Sequence, residues 1–149
     1  MREGDADRSR MRLTVEPRTH QGIDPHWCGT PVDLRAGTAE VELLTRPEMA
    51  ADERGLVHGG FVFGLADYAA MLAVNEPLVV LQAAQVEFVR PVRVGESLHA
   101  AAVVVSEGEG PFHKVQCTVR NERGPVMQGV FDCVVTRRHV LERREEAGA

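Results

Sequence analysis

Apolar residues fall in short alternating runs along most of the chain, a spacing that predicts strands. Thr30 to Leu34 and Thr38 to Thr45 flank Arg35-Ala36-Gly37 and read as a hairpin. Val79 to Arg90 is a longer run stopped by Pro91, and Ser97 to Ser106 is dense in Val and Ala. The turn residues Glu107-Gly108-Glu109-Gly110-Pro111 close that second run. Phe112 to Arg120 and Pro125 to Thr136 follow, joined through Asn121 to Gly124. Three runs in succession linked by short turns form the pattern of an antiparallel meander.

Gly59 to Val74 (GGFVFGLADYAAMLAV) breaks the alternation and predicts the one long helix. Asp67 is its only side chain charged at neutral pH, so the helix lacks a polar face and belongs inside the fold. One buried helix and about six strands predict an α+β domain whose antiparallel sheet wraps around the helix. The two edges of such a sheet need cover, and pairing with a second copy supplies it.

A length of 149 residues suits a single domain, which we expect over residues 13–140. Residues 1–12 form a polar tail expected to be disordered, and residues 141–149 form a charged tail expected to fray. Residues 13–29, with Pro17, Gly22, Pro25 and Trp27, read as an irregular segment over the sheet or across a pocket mouth. A net charge of −5 argues against nucleic acid as a partner. Met1 to Arg12 is too charged for a secretory leader, and no apolar run is long enough to span a membrane. The expected compartment is the cytoplasm. Cys28, Cys117 and Cys133 stand too far apart for a CxxC pair or a zinc cluster, so free thiols are expected. Cys117 and Cys133 lie in strand runs and read as small buried hydrophobes.

Gly55-Leu56-Val57-His58-Gly59-Gly60 runs directly into the helix. The first amides of a helix lack partners and point outward at the positive end of the dipole, which suits the oxyanion formed when a carbonyl is attacked. Glycines there also serve a tight turn and close packing, and the motif alone does not separate the two roles. Asp67 narrows the choice. A carboxylate in an apolar helix needs a partner or a task, the partner being a facing amide or an arginine such as Arg90. Gly59 and Asp67 stand eight residues apart, about 12 Å along the axis. A short aspartate does not span that gap, so if both act on one carbonyl they come from two antiparallel helices of a dimer.

Asp52-Glu53-Arg54-Gly55-Leu56-Val57-His58-Gly59-Gly60, Leu65-Ala66-Asp67 and Phe88-Val89-Arg90-Pro91 resemble the hotdog-fold acyl-CoA thioesterases, in particular the phenylacetyl-CoA thioesterase subgroup. The resemblance covers roughly residues 30 to 136. It implies a five- or six-stranded antiparallel sheet around a central helix, in homodimers that often pair into homotetramers, with sites between subunits. Asp67 then corresponds to the general base or nucleophile, the Gly59 amide to the group that polarises the thioester carbonyl, and His58 to a residue that orients that carbonyl or fixes the loop. The family commonly has an asparagine where this chain has Asp52, which the resemblance makes either a modified catalytic helper or a mark of reduced activity, and two carboxylates at one site would raise each other's pKa.

The activity implied is hydrolysis of an acyl-CoA to free acid and coenzyme A, without metal or redox cofactor. Gly60, Phe61, Tyr68, Gln85 and Arg90 are the expected substrate-binding residues, with Phe63 and Met71 as further neighbours of the acyl slot and Arg93 and Arg120 as further cations for the coenzyme phosphates. Hotdog domains also occur as acyl-CoA-sensing modules without turnover, which is the alternative reading. No His/Asp or His/Glu arrangement of the hotdog dehydratases is found.

Overall fold

The alternating runs form strands and the helix-length run forms a helix. The computed structural model describes residues 12–106 and 110–142, so most of both terminal tails and the turn at 107–109 lie outside the described residues. In chain order the elements are β1 (Arg12–Leu13), α1 (Pro25–Cys28), β2 (Thr30–Arg35), β3 (Thr38–Leu44), α2 (Gly59–Val74), β4 (Val79–Phe88), β5 (Ser97–Val104), β6 (Phe112–Asn121) and β7 (Gly124–Val135). The sheet order is β1-β2-β3-β5-β6-β7-β4. Six strands are antiparallel, and the two-residue β1 runs parallel to β2, with Arg12 opposite Asp33. This is the hotdog arrangement that the resemblance implies.

β3 and β5 meet α2 partly through small residues. Ala39 of β3 stands opposite Ala102 of β5, and Val41 opposite Ala100. All four are buried, as are Ala66, Ala69, Ala70 and Ala73 of α2. Alanine against alanine lets backbones approach closely at interior packing density. β4 ends at Phe88, two residues short of the predicted run. The amides of Val89 and Arg90 both turn to the Val126 carbonyl, at 2.8 and 3.3 Å, and Pro91 has no amide to continue the ladder.

α2 stops at Asn75, whose φ of 52° is left-handed and whose amide donates to the Met71 carbonyl. The Asn75 side chain donates to the Glu16 carbonyl and accepts from the Arg18 amide, which ties the segment after β1 to the helix end. Among the described residues no helix is long and apolar enough to cross a membrane.

Candidate active site

The loop before α2 is held from two sides. The Val57 amide donates to the Val92 carbonyl at 2.8 Å, and the His58 amide to that of Met49 at 2.9 Å. Asp52 sits at the start of this loop, exposed, and its Oδ1 accepts the amides of Arg54 (3.0 Å) and Leu56 (3.2 Å). These bonds give Asp52 the job of bracing the turn that leads to His58. Asp52→Asn keeps a carbonyl oxygen for both bonds and is expected to melt close to the native chain, whereas Asp52→Ala loses on the order of 1 kcal/mol. Thermal unfolding checks this, and equal melting of both variants would show that the turn stands without the side chain.

His58 caps α2 with extended backbone and makes no side-chain cap bond. Its imidazole folds back over the first turn, where a Cβ on Gly60 would come within 3.0 Å of its Nε2. Phe61 meets the His58 ring edge-on at 6.1 Å. On the other flank of the helix start lies Phe88, whose ring is 3.3 Å from where a Cβ of Gly59 would stand. Gly59, Val57, Val62, Phe88, Val126 and Arg90 are among the residues lining a cavity of about 290 Å³ there. No acidic residue occupies the first turn, which leaves the positive end of the helix uncompensated. Arg90 is exposed and donates from Nη1 to the Arg123 carbonyl at 2.6 Å, so it braces the β6–β7 turn and is not the partner of Asp67.

Asp67 lies two turns further along α2. Its Oδ1 is shut off from solvent and has no hydrogen-bond partner among the described residues. Burial pushes its carboxyl up to about 6, and no second carboxylate contributes. The Asp67 charge is felt by the thiols of Cys28 and Cys133, both of which are raised chiefly by burial, Cys133 to about 12. Tyr68 is half-buried beside Cys28.

Of the expected residues, then, His58, Gly59, Gly60 and Phe61 form one contiguous turn, with Asp67 and Tyr68 on the same helix. Met71 is fully buried, and Phe63, partly buried, packs on Phe131 at 5.5 Å. Gln85 is exposed in mid-β4 opposite Val130, and Arg93 and Arg120 are exposed. Sequence reasoning placed Trp27 in a segment over the sheet or across a pocket mouth but assigned neither it nor Cys28 to the site, and it missed the contact of Phe88 with Gly59. Trp27 and Cys28 lie on α1, whose signature was readable: Asp24 as N-cap, Pro25 at the first position and Gly29 as C-cap. Among the described residues no group of three His, Cys, Asp or Glu is placed to hold a metal ion. A second cavity, of about 640 Å³ between Pro111, Phe112 and the end of β7, contains none of the candidate residues.

The fold and the sequence are similar to those of known proteins. The family model of the thioesterase superfamily matches residues 54–128, half of the chain, and the chain belongs to that superfamily. The crystal structure of the uncharacterized protein PH1136 from Pyrococcus horikoshii is 51% identical, with a TM-score of 0.83 over 85% of this chain and 97% of that one. The PaaI protein of E. coli, from the phenylacetic acid degradation operon, is 25% identical, with a TM-score of 0.64 over 70% of this chain and 80% of its own. Among curated proteins, methylthioribose-1-phosphate isomerase of Aquifex aeolicus (strain VF5) is 48% identical over 117 residues, 78% of this chain. The transcription factor FapR of Shouchella clausii (strain KSM-K16) is 36% identical over 64 residues, 43% of this chain. The chain spans only 25% of the isomerase and 34% of the FapR sequence.

Proposed function

We propose that this chain is an acyl-CoA thioesterase that works as a homodimer. The observation that carries the reading is the Asp67 carboxylate, unpartnered at its buried Oδ1 and held at about 6 on a helix whose N-terminus opens on two glycines. A base with that pKa is ionised at neutral pH and can accept a proton from water as that water attacks the carbonyl. Water adds to the thioester carbonyl, negative charge gathers on the carbonyl oxygen against the Gly59 amide, and the C–S bond breaks to release coenzyme A as a thiolate. Attack by Asp67 itself, followed by hydrolysis of the anhydride, reaches the same products. Neither route uses a metal or redox group.

The axial gap between Gly59 and Asp67 supports a site shared by two chains. β4 is the terminal strand of the sheet, and Gln82 to Gln85 are exposed on successive positions, hence on both faces. An open edge of that kind accepts a second copy, and antiparallel docking along it brings two α2 helices side by side. The expected result is thiol release from at least one of acetyl-, octanoyl- and benzoyl-CoA. The similarity to a transcription factor favours a second reading, an acyl-CoA-binding module. That reading predicts a ligand-dependent rise in melting temperature with no thiol release from any of the three.

A further inference from the structure

A one-turn helix that buries none of its own residues has to be fixed from outside, and α1 is fixed at both ends. Asp24 caps its start. Gly29 closes it at φ +96°, where a Cβ would stand 2.7 Å from the Glu42 carbonyl oxygen and 2.9 Å from Val41 Cγ1. Glycine alone fits that junction, so β3 sets the position of the turn. What the turn displays is Trp27 and Cys28. Trp27 is 37% exposed and stacks on Phe61, with ring centroids 5.7 Å apart and planes 26° from parallel. Cys28 lies over Gly64, its Sγ 3.9 Å from where a Cβ would be, within electrostatic reach of Asp67 and Tyr68. Together the two side chains line one flank of α2 from its first turn to the Asp67 carboxylate.

We propose that Trp27 is a specificity-determining residue: the wall it forms with Phe61 and Cys28 selects an extended apolar acyl group over acetyl. The inference rests on the thioesterase reading. Each methylene laid against indole and phenyl surface leaves water, a gain that acetyl cannot match. Polar acyl groups gain less there, because the polar atoms of the wall are a weakly polar thiol and one indole N–H.

Trp27 is the sole tryptophan of the chain, so its emission reports on the wall without turnover. Titration of the Asp67→Asn protein with octanoyl-CoA is expected to change that emission saturably, and acetyl-CoA to change it less. In turnover assays, Trp27→Ala lowers the ratio of kcat/KM for octanoyl-CoA to that for acetyl-CoA about tenfold, and Trp27→Phe, which keeps an aromatic surface, stays within about threefold of native. Unchanged emission together with an unchanged ratio overturns the inference and leaves the thioesterase reading intact. Native protein that releases no thiol from either substrate overturns that reading, and the role of Trp27 falls with it.

Discussion

Asp67→Asn is expected to lower turnover of an acyl-CoA thioester by at least about 100-fold, the usual size of a lost general base. The native pH profile of kcat/KM should rise through about pH 6 as the Asp67 carboxyl ionises, and that limb should vanish in the variant. Stability should move the other way. The folded chain keeps a proton on Asp67 in the window between 3.8 and about 6, where the unfolded chain has released it. The stability linked to that proton is complete below pH 3.8 and is lost as pH rises through about 6. At pH 8 the native chain therefore carries a buried charge at a cost, and the neutral amide removes it. The variant should melt a few degrees higher at pH 8, with the gain shrinking toward pH 4. A variant that melts lower and still hydrolyses would mark Asp67 as a structural residue.

The same substitution tests whether the site is shared between chains. Gly59→Pro deletes the first amide of α2 while proline suits the first position of a helix. Each variant alone lacks one half of the chemistry in both sites of a dimer. In a mixed dimer, one site pairs the intact Gly59 of one chain with the intact Asp67 of the other. Co-refolding equal amounts should restore about a quarter of native activity, since half the dimers are mixed and each has one good site. No recovery would place both groups in the same chain.

Why some of this was legible in the sequence and some was not follows from the range of the forces involved. The helix is set by local signals, Gly59-Gly60 at one end and a left-handed Asn75 at the other, and its predicted limits match the structure. The strands are set largely by alternation, whose phase changes at bulges between Pro31 and Asp33, Leu81 and Ala83, and Val119 and Arg120. α1 is too short to show a period, so its caps are its only trace. At the site, Asp67 stood out because a lone carboxylate in an apolar helix conflicts with its surroundings. The groups that feel it, Cys28 and Cys133, come from distant parts of the chain, and nothing local links them. Asp52 has a local role that residue type alone did not suggest: its carboxylate accepts the amides two and four residues on and braces the turn.

Gly129→Ala is expected to be the most damaging single methyl in the fold, at about 3–5 kcal/mol. Gly129 lies in β7 between Cys117 of β6 and Val86 of β4. A Cβ there would collide with the Gln85 carbonyl oxygen and stand 2.6 Å from Val86 Cγ1 and 2.7 Å from Val86 Cα. Two of those three are backbone atoms, so no rotamer change relieves the contact, and β4 must move away from β7. Gly22 provides the control, since nothing lies within 4 Å of its added Cβ and its φ is not left-handed; Gly22→Ala should change stability by less than about 0.5 kcal/mol. Chemical denaturation measures both, and equal midpoints would mean that β4 has slack to absorb the methyl. The same displacement reaches the site, because β4 carries Phe88, whose ring lies against Gly59 at the start of α2. Where the variant still folds, an outward shift of β4 draws that ring from the helix terminus and widens the cavity beside the amide. Activity should then fall further than the loss of folded protein explains.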